Sequence, residues 1–425
     1  MIARIKTNLI KYFFFGNSIT DDGYLRLAYL VGRFIVFLPL SLCATLVLGV
    51  YSIFRPVKIF MLRCDVSRIS NIAEDLEVAL RVESHKVKFL NAKPSLNFAV
   101  LDCKSPNKAF TKMYGRVLPF LDSHRPFLRG IIRFVFPLAR INRIYLARRQ
   151  SDNQLTIWAE TAPILSFSER EVQDGLDLQK KLLSVIDTPF ICIGISESSY
   201  YLNKYRENDF RAGDKDIYTC MPEWETYFKC VNALSDAGYK VLRMGQMVNA
   251  ALDKDACKII DYANTIRTEF GDVWLLGNCK FVIAGGGTGV YWPSSVLNKS
   301  VVITDLYSIV SSSNGPRDLF IPQLAWSRSK KKLMPFSWII AQGEGWGHKR
   351  FLIEGDIEIV KNTADEITEV VLEMNQRLDD VWVETDEDKE LQARFSALRA
   401  SIPKWRVQPG VRIGAGFLRR YKHLL

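Results

Sequence analysis

Phe281-Val-Ile-Ala284 runs straight into Gly285-Gly-Gly-Thr288-Gly289. An apolar run of this length reads as a buried strand. Glycine takes positive φ at little cost and lets a ligand approach the backbone closely. A helix is expected to open near Tyr291, with Pro293 in its first turn. Strand, glycine loop and helix start together make a cradle for an anion, because free N–H groups and the positive dipole end meet there. A tight strand-to-helix turn without ligand uses the same residues, and the glycines alone leave both readings open. The spacing is neither G-x-G-x-x-G nor a Walker A loop, since no Gly-Lys-Ser/Thr follows. Two polar residues stand at other expected strand ends, Arg243 near the end of Lys240–Met244 and Asp305 after Ser300–Thr304, and Ile259-Ile260 lead into Asp261. An arginine fork can hold a phosphate through two bonds. Thr288 and the N–H groups of Gly286, Gly287 and Gly289 would hold another, and Asp261 or Asp305 would accept from ribose hydroxyls. That set describes a nucleotide-diphosphate pocket. The alternatives are an Arg243–Asp261 ion pair and a capping or turn role for Asp305.

Converging on one rim requires parallel strands, because ligands of open α/β sheets bind at the carboxyl ends. The pattern supplies strand–helix–strand alternation. Residues 57–62 read as a first strand, followed by a polar loop. Asn71-Ile-Ala-Glu74 has capping-box spacing and opens a helix with Ile72, Leu76, Ala79 and Leu80 on its apolar face. Val87–Leu90 and Phe98–Leu101 read as further strands. A second α/β unit is expected from about Asp187, with a strand to Ile195 and a long polar loop over 196–220. A helix over Pro222–Ala237 and a short helix over Asp272–Cys279 follow. Residues 364–378 carry helical spacing; 384–390 are acidic and read as exposed. The expected organisation is an N-terminal segment over 1–55, an N-terminal α/β domain over 56–186, a C-terminal α/β domain over 187–385, and an acidic-then-basic tail over 386–425.

The 425 residues carry a formal charge of +11 and are 48% hydrophobic, which excludes a disordered chain and asks for an acidic partner. The 8 cysteines are scattered with no C-x-x-C pair, so neither zinc nor a disulfide framework is expected. Residues 34–54 contain no charge, a length that can span a bilayer as a helix, and Arg33 and Arg55 bracket them. A buried core helix is the alternative. Residues 127–149 interleave six arginines with apolar residues, and the end of the chain after Ile402 is rich in Lys and Arg without an acid. Both read as contacts for an anionic membrane surface. No nucleic-acid partner is expected, because no zinc finger, basic zipper or RNP-like motif occurs.

Asp216-Ile-Tyr, Gly238-Tyr-Lys-Val-Leu-Arg-Met-Gly245, Ile260-Asp-Tyr-Ala263, Asp272-Val-Trp-Leu-Leu-Gly-Asn-Cys-Lys-Phe281 and Gly286-Gly-Thr-Gly289 occur in that order. This series resembles a bacterial family of glycosyltransferases associated with surface-polysaccharide biosynthesis, whose C-terminal half is similar to the donor domain of GT-B enzymes. The resemblance covers residues 189–340 well and 57–120 weakly. It implies two Rossmann-like domains facing a cleft, with the N-terminal hydrophobic membrane helix added here. It implies a membrane-associated enzyme that moves a sugar from a nucleotide-sugar donor to a polysaccharide or lipid-linked glycan acceptor, at the cytoplasmic face of the bacterial inner membrane. Arg243, Gly245, Thr288 and Gly289 would then serve the donor phosphates, with Arg211 and Asp216 as cleft residues. Asp65, with Glu74 second, would be the catalytic base; the capping box is the other role for Glu74. No metal and no cofactor are expected beyond the nucleotide-sugar substrate. The sequence departs from the family where a Gly-His pair and an arginine are usual; here stand Ser70-Asn71 and Ser196-Glu197. The alternative is a catalytically degenerate scaffold in polysaccharide assembly. An epimerase or oxidoreductase would need a glycine turn after an early strand, and residues 63–70 contain no glycine.

Overall fold

The computed structural model describes residues 23–54, 57–62, 69–101, 105, 107–122, 145–146, 153–197, 199, 221–249, 251–252, 256–306, 309, 315–342, 355–402 and 407–425. The chain forms two compact units, Met1–Arg149 and Gln150–Leu425.

The first unit contains a parallel sheet of four strands: β1 (Val57–Leu62), β2 (Leu96–Leu101), β3 (Phe120–Asp122) and β4 (Tyr145–Leu146), in the order β3-β2-β1-β4. Helix Ile69–Phe89 follows β1. It begins two residues before Asn71, so the expected capping box lies inside the helix and does not form its cap. It buries Ile72, Ala73, Leu76, Val78 and Leu80, while Ala79 is only partly covered. It also absorbs Val87–Phe89, which reads locally as a strand; the helical register set by Ile72 and Leu76 prevails. Inside this unit Arg81 and Glu77 are fully buried and paired at 2.8 Å, and the Tyr114 hydroxyl donates to Glu77 at 2.9 Å.

Helix Gly23–Phe54 carries the uncharged run and has Pro39 inside it. Ser41 and Thr45 are buried, whereas Ile35, Leu46, Val47, Ile53 and Phe54 are exposed. Among the described residues, no helix is long and apolar enough to cross a membrane. The side chains of Phe34, Phe37 and Ser52 lie outside the described set. The spanning helix expected over 34–54 therefore finds no support there. Of the basic stretch 127–149, only Tyr145–Leu146 is described.

The second unit is built on seven parallel strands: β5 (Phe190–Ile195), β6 (Lys240–Arg243), β7 (Ile259–Ile260), β8 (Phe281–Gly285), β9 (Ser300–Leu306), β10 (Leu319–Pro322) and β14 (Arg412–Ile413). Their order is β14-β10-β9-β8-β5-β6-β7. From β5 the chain winds outward to β7, returns to the other side of β5 at β8, and winds outward again. This is doubly wound topology, with the reversal between β5 and β8. β5, β8 and β9 are buried at every residue, as central parallel strands covered on both faces must be. Helix Glu225–Asp236 packs with helix Ala364–Leu378, and helix Glu169–Leu183 with helix Glu269–Asn278. A second, antiparallel sheet pairs β11 (Leu324–Ser327) with β12 (Lys332–Leu333) and β13 (Ile357–Val360).

Two expected boundaries shift. The second unit starts about forty residues before Asp187, because helices Gln154–Glu160 and Glu169–Leu183 belong to it. Trp274 donates to Gln179 at 3.1 Å and leaves no room for a Cβ on Gly175, while Gln408 donates to the Leu155 carbonyl at 2.7 Å. The expected tail over 386–425 is part of the core. Helix Asp386–Leu398 starts with a Thr385–Asp388 capping box, so its acids sit where the helix dipole favours them. Helix Ala415–Arg420 buries Phe417 and Leu418. The basic residues meet acids: Arg412 with Glu384, Arg419 with Asp388, Arg420 with Glu369 and Lys422 with Glu387. That pairing, rather than a free basic tail, is what the fold presents for these four.

Candidate functional site

The reversal places the end of β5 beside the end of β8. Ser196 and Glu197 leave β5, and the glycine loop leaves β8. The two are stitched together: Ser196 N–H donates to the Gly285 carbonyl at 3.0 Å and Ser196 Oγ to the Gly286 carbonyl at 2.7 Å. Gly286 N–H donates to the Thr304 carbonyl of β9 at 3.0 Å. Gly286 and Gly287 have φ of 64° and 70°, the left-handed region that other residues avoid. A Cβ on Gly286 would lie 2.5 Å from Pro222 Cδ, and one on Gly285 2.3 Å from the Tyr227 hydroxyl. Thr288 is nearly buried and its hydroxyl accepts from Val290 N–H at 3.4 Å. A 3-10 turn opens at Gly289 and runs into helix Trp292–Val296 with Pro293 at its start, as the sequence predicts. The glycines thus permit the turn, and Pro222 closes tightly on one side of it.

On the β5–β6–β7 side of the reversal stands a buried ionic network. Arg243 ends β6 and has no exposed surface. Its Nη2 donates to both carboxylate oxygens of Glu197, at 2.9 and 3.1 Å, and its Nη1 donates to Asp261 Oδ2 at 3.0 Å. The guanidinium also lies over the Trp224 ring, 4.9 Å from its centroid, while Trp224 Nε1 donates to Glu197 at 3.0 Å. The three charged residues therefore follow three adjacent strands. The carboxylates also pin the loop after β6: Asn249 N–H donates to Glu197, and Leu252 N–H donates to Asp261 at 3.4 Å. Ser199 fastens the same loop from the β5 side, donating to the Met247 carbonyl at 2.9 Å. Gly245 lies in this loop, with Val248 where its Cβ would be.

On the β8–β9 side the polar groups are not ion-paired. Tyr227, from helix Glu225–Asp236, shares a 2.7 Å hydrogen bond with Thr304 Oγ1 and donates to Asp305 Oδ2 at 3.3 Å. Asp305 has φ of 50° and exchanges two bonds with Asn362: its N–H donates to Asn362 Oδ1 at 2.6 Å, and Asn362 N–H donates to its Oδ1 at 2.8 Å. Burial raises the Asp305 carboxyl to about 6, against lowering by the Asn362 N–H and the Tyr227 hydroxyl. The same burial, with Asp305 close by, pushes the Tyr227 hydroxyl well above its ordinary value.

The expected residues divide accordingly. The structure brings Arg243, Asp261, Gly245, the glycine loop and Asp305 to one rim, as the strand pattern requires. It does not leave Arg243 open to a phosphate: the alternative left in the sequence, pairing with Asp261, is present, and Glu197 completes it. Asp261 is further occupied as the cap of the 3-10 turn Tyr262–Asn264. Asp305 ties β9 to Asn362 and is almost wholly buried, which is the turn role rather than a ribose acceptor. Asp65, Arg211 and Asp216 lie outside the described residues, and Glu74 sits in helix Ile69–Phe89 with its side chain outside the described set. Sequence reasoning missed Glu197, Tyr227 and Asn362. Glu197 had a signal: an acid just after the apolar run of β5.

No family model matches the chain, and no curated protein matches it. Two solved structures are distantly similar. The glycosyl transferase family 9 protein from Veillonella parvula DSM 2008 is 11% identical, with a TM-score of 0.42 over 76% of this chain and 97% of its own. The dodecameric iron-containing heptosyltransferase TibC, in complex with ADP-D-beta-D-heptose, is 12% identical, with a TM-score of 0.35 over 76% of this chain and 77% of its own.

Proposed function

We propose that this protein is a glycosyltransferase whose second unit binds a nucleotide-sugar donor at the reversal between β5 and β8. One observation carries the reading: the strand order places a positive-φ glycine loop at the topological switch point, where open α/β sheets bind ligands. The motif series over residues 189–340 supports the donor class. Gly287, Thr288 and Gly289 are the phosphate-side residues in this reading. Arg243 has a different part from that expected from the sequence: with Glu197 and Asp261 it holds the β5 and β6 loops in place as a positioning group.

In the reaction the bond between the anomeric carbon and the phosphate oxygen breaks, and the nucleoside diphosphate leaves with the electron pair. The acceptor hydroxyl forms the new glycosidic bond and loses its proton to a base. Loop N–H groups stabilise the leaving charge electrostatically. Asp65 remains the proposed base, with Glu74 second. No step requires a metal. The acceptor in this reading is a polysaccharide or lipid-linked glycan at the cytoplasmic face of a bacterial inner membrane, and the exposed apolar residues of helix Gly23–Phe54 support contact with a membrane surface.

The test is calorimetric titration of the full chain with nucleoside diphosphates and their sugars. Thr288→Val should weaken donor binding about tenfold, the value of roughly one hydrogen bond to a charged group, with the unfolding midpoint unchanged. Equal affinity in the variant would remove Thr288 from the site. A second reading, a degenerate scaffold keeping the fold, is favoured by the consumption of Arg243 in ion pairs and the tight seat of Pro222 on Gly286. Failure of every uridine, guanosine, adenosine and cytidine diphosphate to bind would decide for it.

A further inference from the structure

Three arginines of the described chain are nearly or fully buried: Arg81, Arg243 and Arg399. The first two meet carboxylates. Arg399 meets none among the described residues. It follows helix Asp386–Leu398 and opens the 3-10 turn Arg399–Ser401, with 6% of its surface exposed. Its guanidinium lies near the rings of Phe320 on β10 and Phe395 on the preceding helix, 5.4 and 5.8 Å from their centroids. Aromatic faces steady the plane of a guanidinium but accept none of its in-plane hydrogen bonds. Nε and Nη2 are both buried without a hydrogen-bond partner among the described residues.

These two nitrogens lie on the same side of the guanidinium, and their N–H bonds run nearly parallel. That edge matches the two oxygens of a carboxylate or phosphate group. Burial lowers the Arg399 guanidinium only to about 10, so the group is charged at neutral pH. A buried cation without a counter-charge is strongly disfavoured, and a bidentate oxyanion supplies both the charge and the missing acceptors.

We propose that the Nε–Nη2 edge of Arg399 is a binding site for a small oxyanion, phosphate or carboxylate, in the core between β10 and the turn after helix Asp386–Leu398. It is separate from the donor site: β10 lies two strands from β8. The inference does not depend on the glycosyltransferase reading.

The experiment uses the full chain in chloride buffer of fixed ionic strength. Inorganic phosphate and, in a parallel arm, acetate are titrated while heat and the unfolding midpoint are read. Wild type should show one saturable site per chain and a ligand-dependent rise in midpoint. Arg399→Met should lose that site while staying as stable as wild type in chloride, since it removes an unpaired buried charge. Arg399→Lys keeps the charge without the fork and should bind about tenfold more weakly; it also decides the matter if the Met variant does not fold. Thr288→Val should keep the Arg399-dependent binding, which separates this site from the glycine loop. Absence of any ligand-dependent shift in wild type, or equal binding in Arg399→Met or Arg399→Lys, overturns the proposal. The arm that responds more strongly identifies the anion class.

Discussion

The two flanks of the β5–β8 reversal solve the same problem with opposite chemistry. Each must bury polar groups at the carboxyl ends of central strands. The β5–β6–β7 flank does so with charge: Arg243 pairs with both Glu197 and Asp261 across three neighbouring strands. The β8–β9 flank does so with one carboxyl and neutral partners: Tyr227, Thr304 and Asn362 around Asp305. A buried ion-paired network rigidifies the loops that hang from it, and removing one member leaves the others buried and uncompensated. A lone carboxyl among neutral partners pays instead through its proton affinity. The difference teaches that charge at a strand end is not by itself ligand machinery. When the neighbouring strand ends carry the complement, the charge is architecture, and the backbone of the glycine loop is the element we propose for the anion.

The sharpest way to break this comparison is Arg243→Met. Loss of the guanidinium strands Glu197 and Asp261, and stability should fall by about 3–5 kcal/mol in urea unfolding, as for other broken buried pairs. A loss below about 1 kcal/mol would mean that the network carries no architecture. Gly286→Ala comes next. Its φ of 64° and the 2.5 Å approach of Pro222 Cδ both oppose a side chain, and a cost of roughly 2 kcal/mol is expected. A neutral outcome would show that Pro222 gives way readily.

Asp305→Asn tests the other flank through pH. The folded-state carboxyl is raised to about 6, above its unfolded value. Its stabilising contribution is therefore fully present at acid pH and is lost as pH rises through about 6. Asparagine cannot ionise, so stability of the variant relative to wild type should increase by about 1–2 kcal/mol between pH 4 and 7. A flat difference would show that Asp305 does not titrate there. The smallest stability effect belongs to Thr288→Val, within about 0.5 kcal/mol, because its hydroxyl makes only a long local bond. Its consequence should appear in donor affinity alone.

Much of this was legible in the residue pattern. The strands β1, β5, β6, β8 and β9 and the helix over 364–378 follow from apolar runs and spacing that need no distant partner. The turn after β8 was legible because a run of glycines behind a buried strand marks a tight strand-to-helix turn, with or without a ligand. The capping box at Asn71 and the strand at Val87 were misread, since each local signal was outweighed by a longer helix packing Ile72 and Leu76. The expectation for Arg243 failed for another reason. One strand's sequence does not say which strand lies beside it, and Glu197 precedes Arg243 by 46 positions.

What the sequence determined by itself was the alternation of strands and helices, the glycine turn after β8, and the charged residues at strand ends. Those are local consequences of side-chain size, polarity and backbone freedom. Only the tertiary structure decided that Arg243 faces two carboxylates and that four basic C-terminal residues find acids on neighbouring elements. It also left Arg399 buried against two aromatic rings with its donor edge unmatched among the described residues. Pairing of buried charges is a property of neighbours in space, and those are set by the order in which the strands assemble.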